Sequence, residues 1–571
     1  MGQLNIDSIK ERTFDAIVIG SGISGGWAAK EFTEKGLKTL LLERGRDVKH
    51  IKDYPTANKF PFDFEHRGEM PLDLQKANPI INKCYLFQED AAHFFVKDKQ
   101  HPYVQEKPFD WIRGYQVGGK SLMWARATQR WSNFDYEGPA RDGFAVDWPI
   151  REKDMAPWYS HVEKFAGIAG NRDGLPQLPD GEFLPAFPLN VVEDYFKTQL
   201  TQKYQHRHVI SERIAHLTKP APVHAEQGRT RCLSRNLCHR GCPLGGYFSS
   251  NSSTIPWAAK TGNLTLRPCS VAHTILYDRK KNKATGVRVI DSNTKEAIEY
   301  YAKVIFVNAG ALNSNLLLLH SASDRFPEGL GNDNGLMGKF VAFHNYSARI
   351  AAEYPGFKDF TTVGQNPAGG GYMPRFRNLF KQETNFLRGY AAGFGAYRST
   401  QPVTDGFGAG FKQSLLHPAL GPWRVNSHMM GETIPKETNR VSLDHQQTDD
   451  WGMPLLKIAV VYDDNDVKMK KDYFDQFTEM LTATGFINIQ THDVDQHPGL
   501  DVHEMGGIRM GNDPLTSLLN KWNQLHACKN VFVTDGACMT STSTQNPSLT
   551  YMALTARAVD HAVSELNKRS L

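Results

Sequence analysis

The segment that most restricts this chain is its first apolar stretch, residues 14–43. Phe14-Asp15-Ala16-Ile17-Val18-Ile19 reads as a short buried strand and runs straight into Gly20-Ser21-Gly22-Ile23-Ser24-Gly25. A helix is expected from about Gly26 to Lys35, closed by Gly36. Leu37 to Leu42 then supplies a second strand ending on Glu43, 18 residues after Gly25. In such a unit Gly20 permits the tight turn, Gly22 lets the main chain approach a pyrophosphate, and Gly25 lets helix and strand pack closely. Ser24 belongs to the same turn. The phosphates face the positive end of the helix dipole, and Glu43 is placed to accept hydrogen bonds from a ribose. Strand, helix, strand and terminal acid together point to an α/β dinucleotide-binding unit, where the glycines alone would fit any glycine-rich turn. The unit by itself does not choose between NAD and FAD. Its place at the start of the chain favours FAD, because many flavoproteins begin this way and complete the unit at the far end.

The remainder is ordinary globular sequence. Of 571 residues, 40% are hydrophobic and 22% charged, which excludes a fibrous or mainly disordered chain and allows a large core. Lys+Arg 66 against Asp+Glu 61 leaves a net +5 with no basic stripe, so no nucleic-acid partner is expected. No apolar run approaches the roughly 18 residues of a membrane span. Met1 to Glu11 lacks the basic and apolar regions of a secretory signal, and Ile6 stands where a myristoylation signal would carry Ser or Thr. The 10 Trp, 20 Tyr and 32 Phe suit a sugar-stacking site but equally an ordinary core. Seven cysteines are too few and too odd in number for a disulfide scaffold. Three of them, Cys232, Cys238 and Cys242, crowd into an arginine-rich loop at 229–246.

Five blocks, in order, resemble the glucose–methanol–choline oxidoreductases over most of the chain. They are Glu43-Arg44-Gly45; Arg113 to Trp124, containing Gly118-Gly119-Lys120-Ser121; Asn308 to Leu317; Glu432 to Pro435 with Asn439 to Asp444; and His503 to Gly511 followed by Thr534-Asp535-Gly536-Ala537 and Asn546-Pro547. The resemblance implies FAD, with Gly118, Gly119 and Ser121 turned against the flavin and Val271 meeting adenine through its backbone. Arg44, Asp535 and Thr550 complete the expected cofactor set. Met123 stands where pyranose oxidases carry the histidine that holds flavin covalently, so non-covalent FAD is expected.

The resemblance also implies the chemistry. His503 is the expected general base, since a neutral imidazole suits removal of a hydroxyl proton, and Asn546 is its partner on the substrate oxygen. Asn546-Pro547 reads equally as a helix cap with proline at the first helical position, and the two readings are compatible. His428 is a weaker candidate for touching substrate, and His344 is read as structural. For the clustered cysteines the family suggests a [3Fe-4S] cluster. Zinc with His239 or Cys269, or a disulfide plus one free thiol, stay open beside it.

The expected architecture is an FAD-binding Rossmann-like domain interleaved with a substrate domain on a largely antiparallel sheet. Residues 1–340 form the first part of the FAD domain, with an irregular excursion at 54–105; 341–495 form the substrate domain, and 496–571 return to the FAD domain. The branch most resembled is that of bacterial sugar dehydrogenases, of the glucoside 3-dehydrogenase and gluconate 2-dehydrogenase type. The expected reaction is oxidation of a sugar or glycoside hydroxyl, with electrons leaving to a protein acceptor. An oxygen-reducing oxidase and a non-catalytic electron-transfer flavoprotein are the alternatives. A small signal-bearing subunit and a cytochrome c are expected partners, with co-export to the periplasm favoured over a cytoplasmic location.

Overall fold

The computed structural model describes residues 11–360, 369–401 and 406–571. The readings made of residues 1–10 lie outside them. The fold is α/β and is built on two seven-stranded sheets.

The first sheet grows from the opening unit. Thr13–Ile19 pairs in parallel with Thr39–Leu42 on one side and Ala297–Val307 on the other, and Leu264–Arg267 extends the row beyond Thr39–Leu42. Ala297–Val307 is long enough to serve two partners. Its first half takes Lys283–Asp291 antiparallel, and its last three residues pair in parallel with Val531–Val533 from the end of the chain. Ala16, Ile17 and Val18 are fully buried, as a strand covered on both faces must be. Ala28, Ala29 and Phe32 of helix Ile23–Glu34 meet Ala558, Val559 and Ala562 of the C-terminal helix Ser548–Asn567 over one face. The register aligns Ile19 with Leu42 and Val307, and Val307 with Val533. Gly20, Glu43, Asn308 and Asp535 therefore emerge together at the carboxyl edge, where open parallel sheets bind ligands.

The second sheet is antiparallel, in the order Ile487–Asp493, Ala348–Tyr354, Trp423–Glu432, Tyr390–Tyr397, Gly371–Met373 and Ile210–Ser211, with His344–Asn345 added to Trp423–Glu432. One face packs under helices Val191–Lys203 and Asp464–Ala483, through Phe196, Leu200, Tyr473 and Phe477 against Ile350, Phe394 and Val425. This core draws residues 191–211 out of the segment that sequence alone groups with the first unit. The other face carries Arg349, Gly393 and His428 in one cross-strand row. A Cβ on Gly393 would lie 2.1 Å from Cε1 of His428, so the bare glycine makes room for the imidazole. Glu432 sits fully buried at the end of this sheet, bound to Arg375 at 2.7 Å and Arg388 at 3.0 Å, with Asp135 3.2 Å from Arg375. That ionic group ties segment 133–142 to the sheet.

Candidate active site

A cavity of about 1390 Å³ runs from the carboxyl edge of the first sheet to the open face of the second. That is larger than the few hundred to about 1,000 Å³ of an ordinary ligand pocket. Three helices begin on it, Ile23–Glu34 after Gly22, Ala311–His320 after Gly310 and Ser548–Asn567 after Pro547, and none has a side-chain cap. Their first N–H groups are unspent and their positive dipole ends converge on one space. Around the first of them Gly20, Gly22, Ser24, Glu43 and Arg44 line the wall. A Cβ added to Gly22 would meet nothing within 4 Å, so the backbone stands open to a ligand there.

Gly118, at φ +93°, donates its N–H to Ser21 Oγ at 3.0 Å, and its neighbour Gly119 reaches the cavity. The two glycine turns are thus clasped around the same region. Glu43 Oε2 accepts from Ser21 Oγ at 2.6 Å, Oε1 accepts from Gly45 N at 2.9 Å, and burial pushes its carboxyl above the ordinary range. Arg44 stacks on Tyr115 and Trp451, at 4.4 and 5.1 Å from the ring centres. Ser121, Met123, Val271 and Asp535 also line the cavity. Asp535 is held by Ser314 and the Gly310 and Ala537 main chain, and burial raises its carboxyl to about 6.

These residues fit an elongated anionic dinucleotide with a planar ring. Gly25 and Gly118 serve through backbone packing and do not border the space. Ser548 and Tyr551 of the C-terminal helix face the cavity, whereas the Thr550 side chain is fully buried on another side with Oγ1 2.8 Å from Tyr159 Oη, so only its main chain, in the first turn of that helix, is turned to a ligand. A helix turns about 100° per residue, so 548 and 551 share a face that 550 cannot.

Where the two sheets meet, His503 Nε2 lies 3.2 Å from Asn546 Nδ2, and both side chains border the cavity. The helix starts at Ser548 after Pro547, one residue later than the sequence suggests, and the Asn546 amide is spent on His503 and not on a cap. The other nitrogen of His503, Nδ1, lies 2.9 Å from Nδ1 of His344. Asp501 accepts the main-chain N–H of His344 at 2.9 Å, and its carboxyl is pushed up to about 7 by burial. Burial, followed by His344 and Lys120, holds His503 well below the usual imidazole range, so it is neutral at neutral pH. Lys120 is itself paired with Glu504 at 2.7 Å. His344, read from sequence as structural, is therefore in direct contact with the expected base. The signal was absent because 159 residues separate the two.

The far end of the cavity is polar and aromatic. His428 lines it, edge-on to Tyr346 at 5.1 Å, with burial lowering its pKa to about 4. Arg349, Arg126, Glu212, Asn426 and Tyr85 join it, none of them marked by any motif. Arg349 lies over the Tyr346 ring at 3.7 Å, and burial raises the Glu212 carboxyl to about 7 with Arg126 opposing. Tyr85, Leu86 and Phe95, from the 54–105 excursion, close one wall.

The three clustered cysteines are free and half-buried, and Cys238 borders the cavity. Burial pushes the Cys238 thiol up, with Arg126 opposing. Among the described residues the one group of three His, Cys, Asp or Glu ligand atoms within 4.8 Å of one another is His344, Asp501 and His503, so the three thiols do not converge on a single-ion site. Their arrangement shows no clear cluster site. His239, one of the two fourth ligands offered for zinc beside Cys269, holds its Nε2 2.8 Å from Asp90 Oδ2, which leaves Nδ1 as its open nitrogen.

Two family models match the chain, both described as GMC oxidoreductase, over residues 14–344 and 435–555. The chain is 28% identical to a 2-methyl-1,2-propanediol dehydrogenase of Mycolicibacterium austroafricanum, covering 96% of this chain and 94% of that one. It is 25% identical to the fructose dehydrogenase large subunit of Gluconobacter japonicus, covering 97% and 98%. It is 23% identical to the paromamine 6'-oxidase of Streptomyces fradiae, covering 98% and 93%.

Proposed function

The chain belongs to the GMC oxidoreductases, and from that premise we propose that it is a dehydrogenase oxidising a hydroxyl of a sugar or glycoside, in the manner of a glucoside 3-dehydrogenase. As an FAD-dependent oxidoreductase it acts on CH–OH groups. The observation that carries the reading is the His503–Asn546 pair, 3.2 Å apart between the dinucleotide groove and the polar chamber.

Bound FAD would supply the hydride acceptor, held by the Gly20–Gly25 turn, Glu43, Gly119, Val271 and the open helix ends. Met123, a thioether where attachment would need a ring nitrogen, supports non-covalent binding. His503, neutral, receives the substrate's hydroxyl proton on Nε2. Asn546 hydrogen-bonds the same oxygen and steadies the charge that develops on it. Arg126, Arg349, Asn426 and His428 offer donors, Glu212 an acceptor, and Tyr85 and Tyr346 flat apolar faces, a set suited to a ring bearing several hydroxyls.

The test is anaerobic mixing of the yellow holoprotein with a panel of sugars, glycosides and simple alcohols. Loss of oxidised-flavin absorbance with a sugar or glycoside, and a keto or lactone product by NMR, is expected. Bleaching by simple alcohols alone would overturn the carbohydrate assignment. The oxidase name of one relative supports a second reading. Reoxidation by ferricyanide or a quinone that outpaces air favours the dehydrogenase, and the reverse favours the oxidase.

The cysteine loop remains a proposal of its own, an iron–sulfur cluster beside the cavity. It is supported by three thiols in eleven residues, with Arg126 and Arg235 opposing the burial of Cys238. Anaerobically purified protein should contain iron and acid-labile sulfide, and Cys238→Ser should lose both. Their absence from wild type would remove the cluster. A relative named as a large subunit supports a multisubunit assembly. From the family resemblance, and not from that name, we further propose a small signal-bearing subunit, a cytochrome c acceptor and co-export to the periplasm.

A further inference from the structure

The unusual feature at the reacting end is the contact between two imidazoles through the same ring position. His503 Nδ1 and His344 Nδ1 lie 2.9 Å apart with their rings at 82°. Two neutral imidazoles in that geometry share one proton, so one Nδ1 carries hydrogen and the other accepts it. The choice is decided on the opposite side of His503, where Asn546 directs its amide N–H at Nε2. Nε2 is then the acceptor, Nδ1 carries the proton, and His344 must present a bare Nδ1. On the far side of His344, Nε2 has no hydrogen-bond partner among the described residues, and the Ser543 main chain favours the protonated ring. The proton order is consistent along the whole row.

His344 is also held rigidly. Its strand residue pairs with Glu432, its N–H is given to Asp501 at 2.9 Å, and its C=O accepts from Tyr462 Oη at 3.2 Å. A ring fixed at both ends of its own peptide unit, and fully buried, can orient a neighbour.

We propose that His344 is a positioning residue that locks His503 in the Nδ1–H tautomer, so that Nε2, which accepts from Asn546 here, is the unprotonated nitrogen a substrate hydroxyl would take over from that amide. This rests on the assignment of His503 as base. When Nε2 takes the hydroxyl proton, the Nδ1–H bond to His344 strengthens and disperses the new positive charge over two rings. Bound FAD would supply the acceptor for the hydride of the carbinol carbon, so one proton and one electron pair are accounted for. The charged groups around the pair are few. Asp501 and Arg375 face His344, Lys120 faces His503, and each of the latter two is paired, Arg375 with Glu432 and Lys120 with Glu504. Repulsion between the two rings opposes a second proton on the pair, not the first.

The test compares His344→Leu, which removes the acceptor, with His344→Asn, whose amide oxygen can stand near the position of Nδ1. With FAD content and thermal midpoint checked for each holoenzyme, His344→Leu should slow anaerobic flavin reduction about 10- to 100-fold while His344→Asn stays within about threefold of wild type. Loss of the acceptor weakens the imidazolium, so the acid limb of the pH profile should move to lower pH in His344→Leu alone. In wild-type holoenzyme labelled with ¹⁵N-histidine, His503 should carry its proton on Nδ1, with a far-downfield N–H resonance absent from His344→Leu and from His503→Ala.

Equal losses in both variants with an unmoved acid limb, or a His503 protonated on Nε2, would overturn the proposal. If no alcohol reduces the wild-type flavin, the assigned reaction fails, while the nitrogen spectrum still decides the tautomer.

Discussion

His503→Ala should purify yellow, with FAD bound as in wild type, yet reduce its flavin with substrate about 10³- to 10⁴-fold more slowly, which is the worth of a positioned general base. The side chain borders the cavity beside Asn546, away from the Gly20–Gly25 turn and Glu43 that would hold the nucleotide, so cofactor content is the internal control. On the proposed assignment, the variant loses the neutral nitrogen that receives the hydroxyl proton. The pH profile of the wild type carries the same argument. An imidazole charges near 6.5 in water, whereas burial holds His503 well below that value. A depressed pKa keeps the base deprotonated at lower pH, so the acid limb of flavin reduction should lie below 6.5. Anaerobic stopped-flow measurement of the reductive half-reaction reads both. A rate in His503→Ala close to wild type would remove the residue from its role, and partial rescue by added imidazole would secure it.

Gly25→Ala should be nearly as damaging by a different route. A Cβ at this position would stand 1.8 Å from the Gly20 carbonyl oxygen and 2.8 Å from its carbon. Neither is the end of a flexible side chain. Gly20 cannot retreat, because at φ +97° it is itself pressed on the Asn308 main chain, where an added Cβ would come within 2.3 Å of the carbonyl oxygen. One methyl group therefore has to separate the helix from the strand. Overpacking of a tight contact costs about 1–3 kcal/mol, and here the displaced element is the one that presents the pyrophosphate site. We expect a lower thermal midpoint and FAD content far below one per chain.

Gly22→Ala is the control. Its Cβ would project into open space, so the apoprotein should keep its stability and lose FAD affinity alone. Absorbance of FAD per chain and thermal melts of both apoproteins separate the two effects. Stoichiometric FAD in Gly25→Ala would contradict the packing argument.

Much of this site is legible in the sequence because its parts are local. The strand, turn, helix and acid of the dinucleotide unit occupy residues 13–43, and the structure puts the boundaries within a few residues of the expected ones. His503 and Asn546 are legible through the blocks around them, and they do come together. A motif names a stretch of helix such as the one holding Thr550, while only the helical phase says that its side chain turns to Tyr159 and away from the cavity. The division at residue 341 does not mark out Val191–Ser211, whose helix and short strand complete the second core although residues 212–343 separate them from the rest of that sheet.

Short-range stereochemistry needs no partner, so the chain's own order of residues sufficed for the glycine turns, the alternating strands and the nucleotide-binding class of fold. Everything that depends on which distant groups share a low-dielectric interior was settled by folding. The juxtaposition of His344 with His503 belongs here, as do the gathering of Arg126, Glu212, Arg349 and His428 at one end of a cavity and the failure of three neighbouring thiols to close on a single ion. The reason is physical: protonation state and recognition are properties of surroundings, and the surroundings of a buried group come from residues that only tertiary packing brings near.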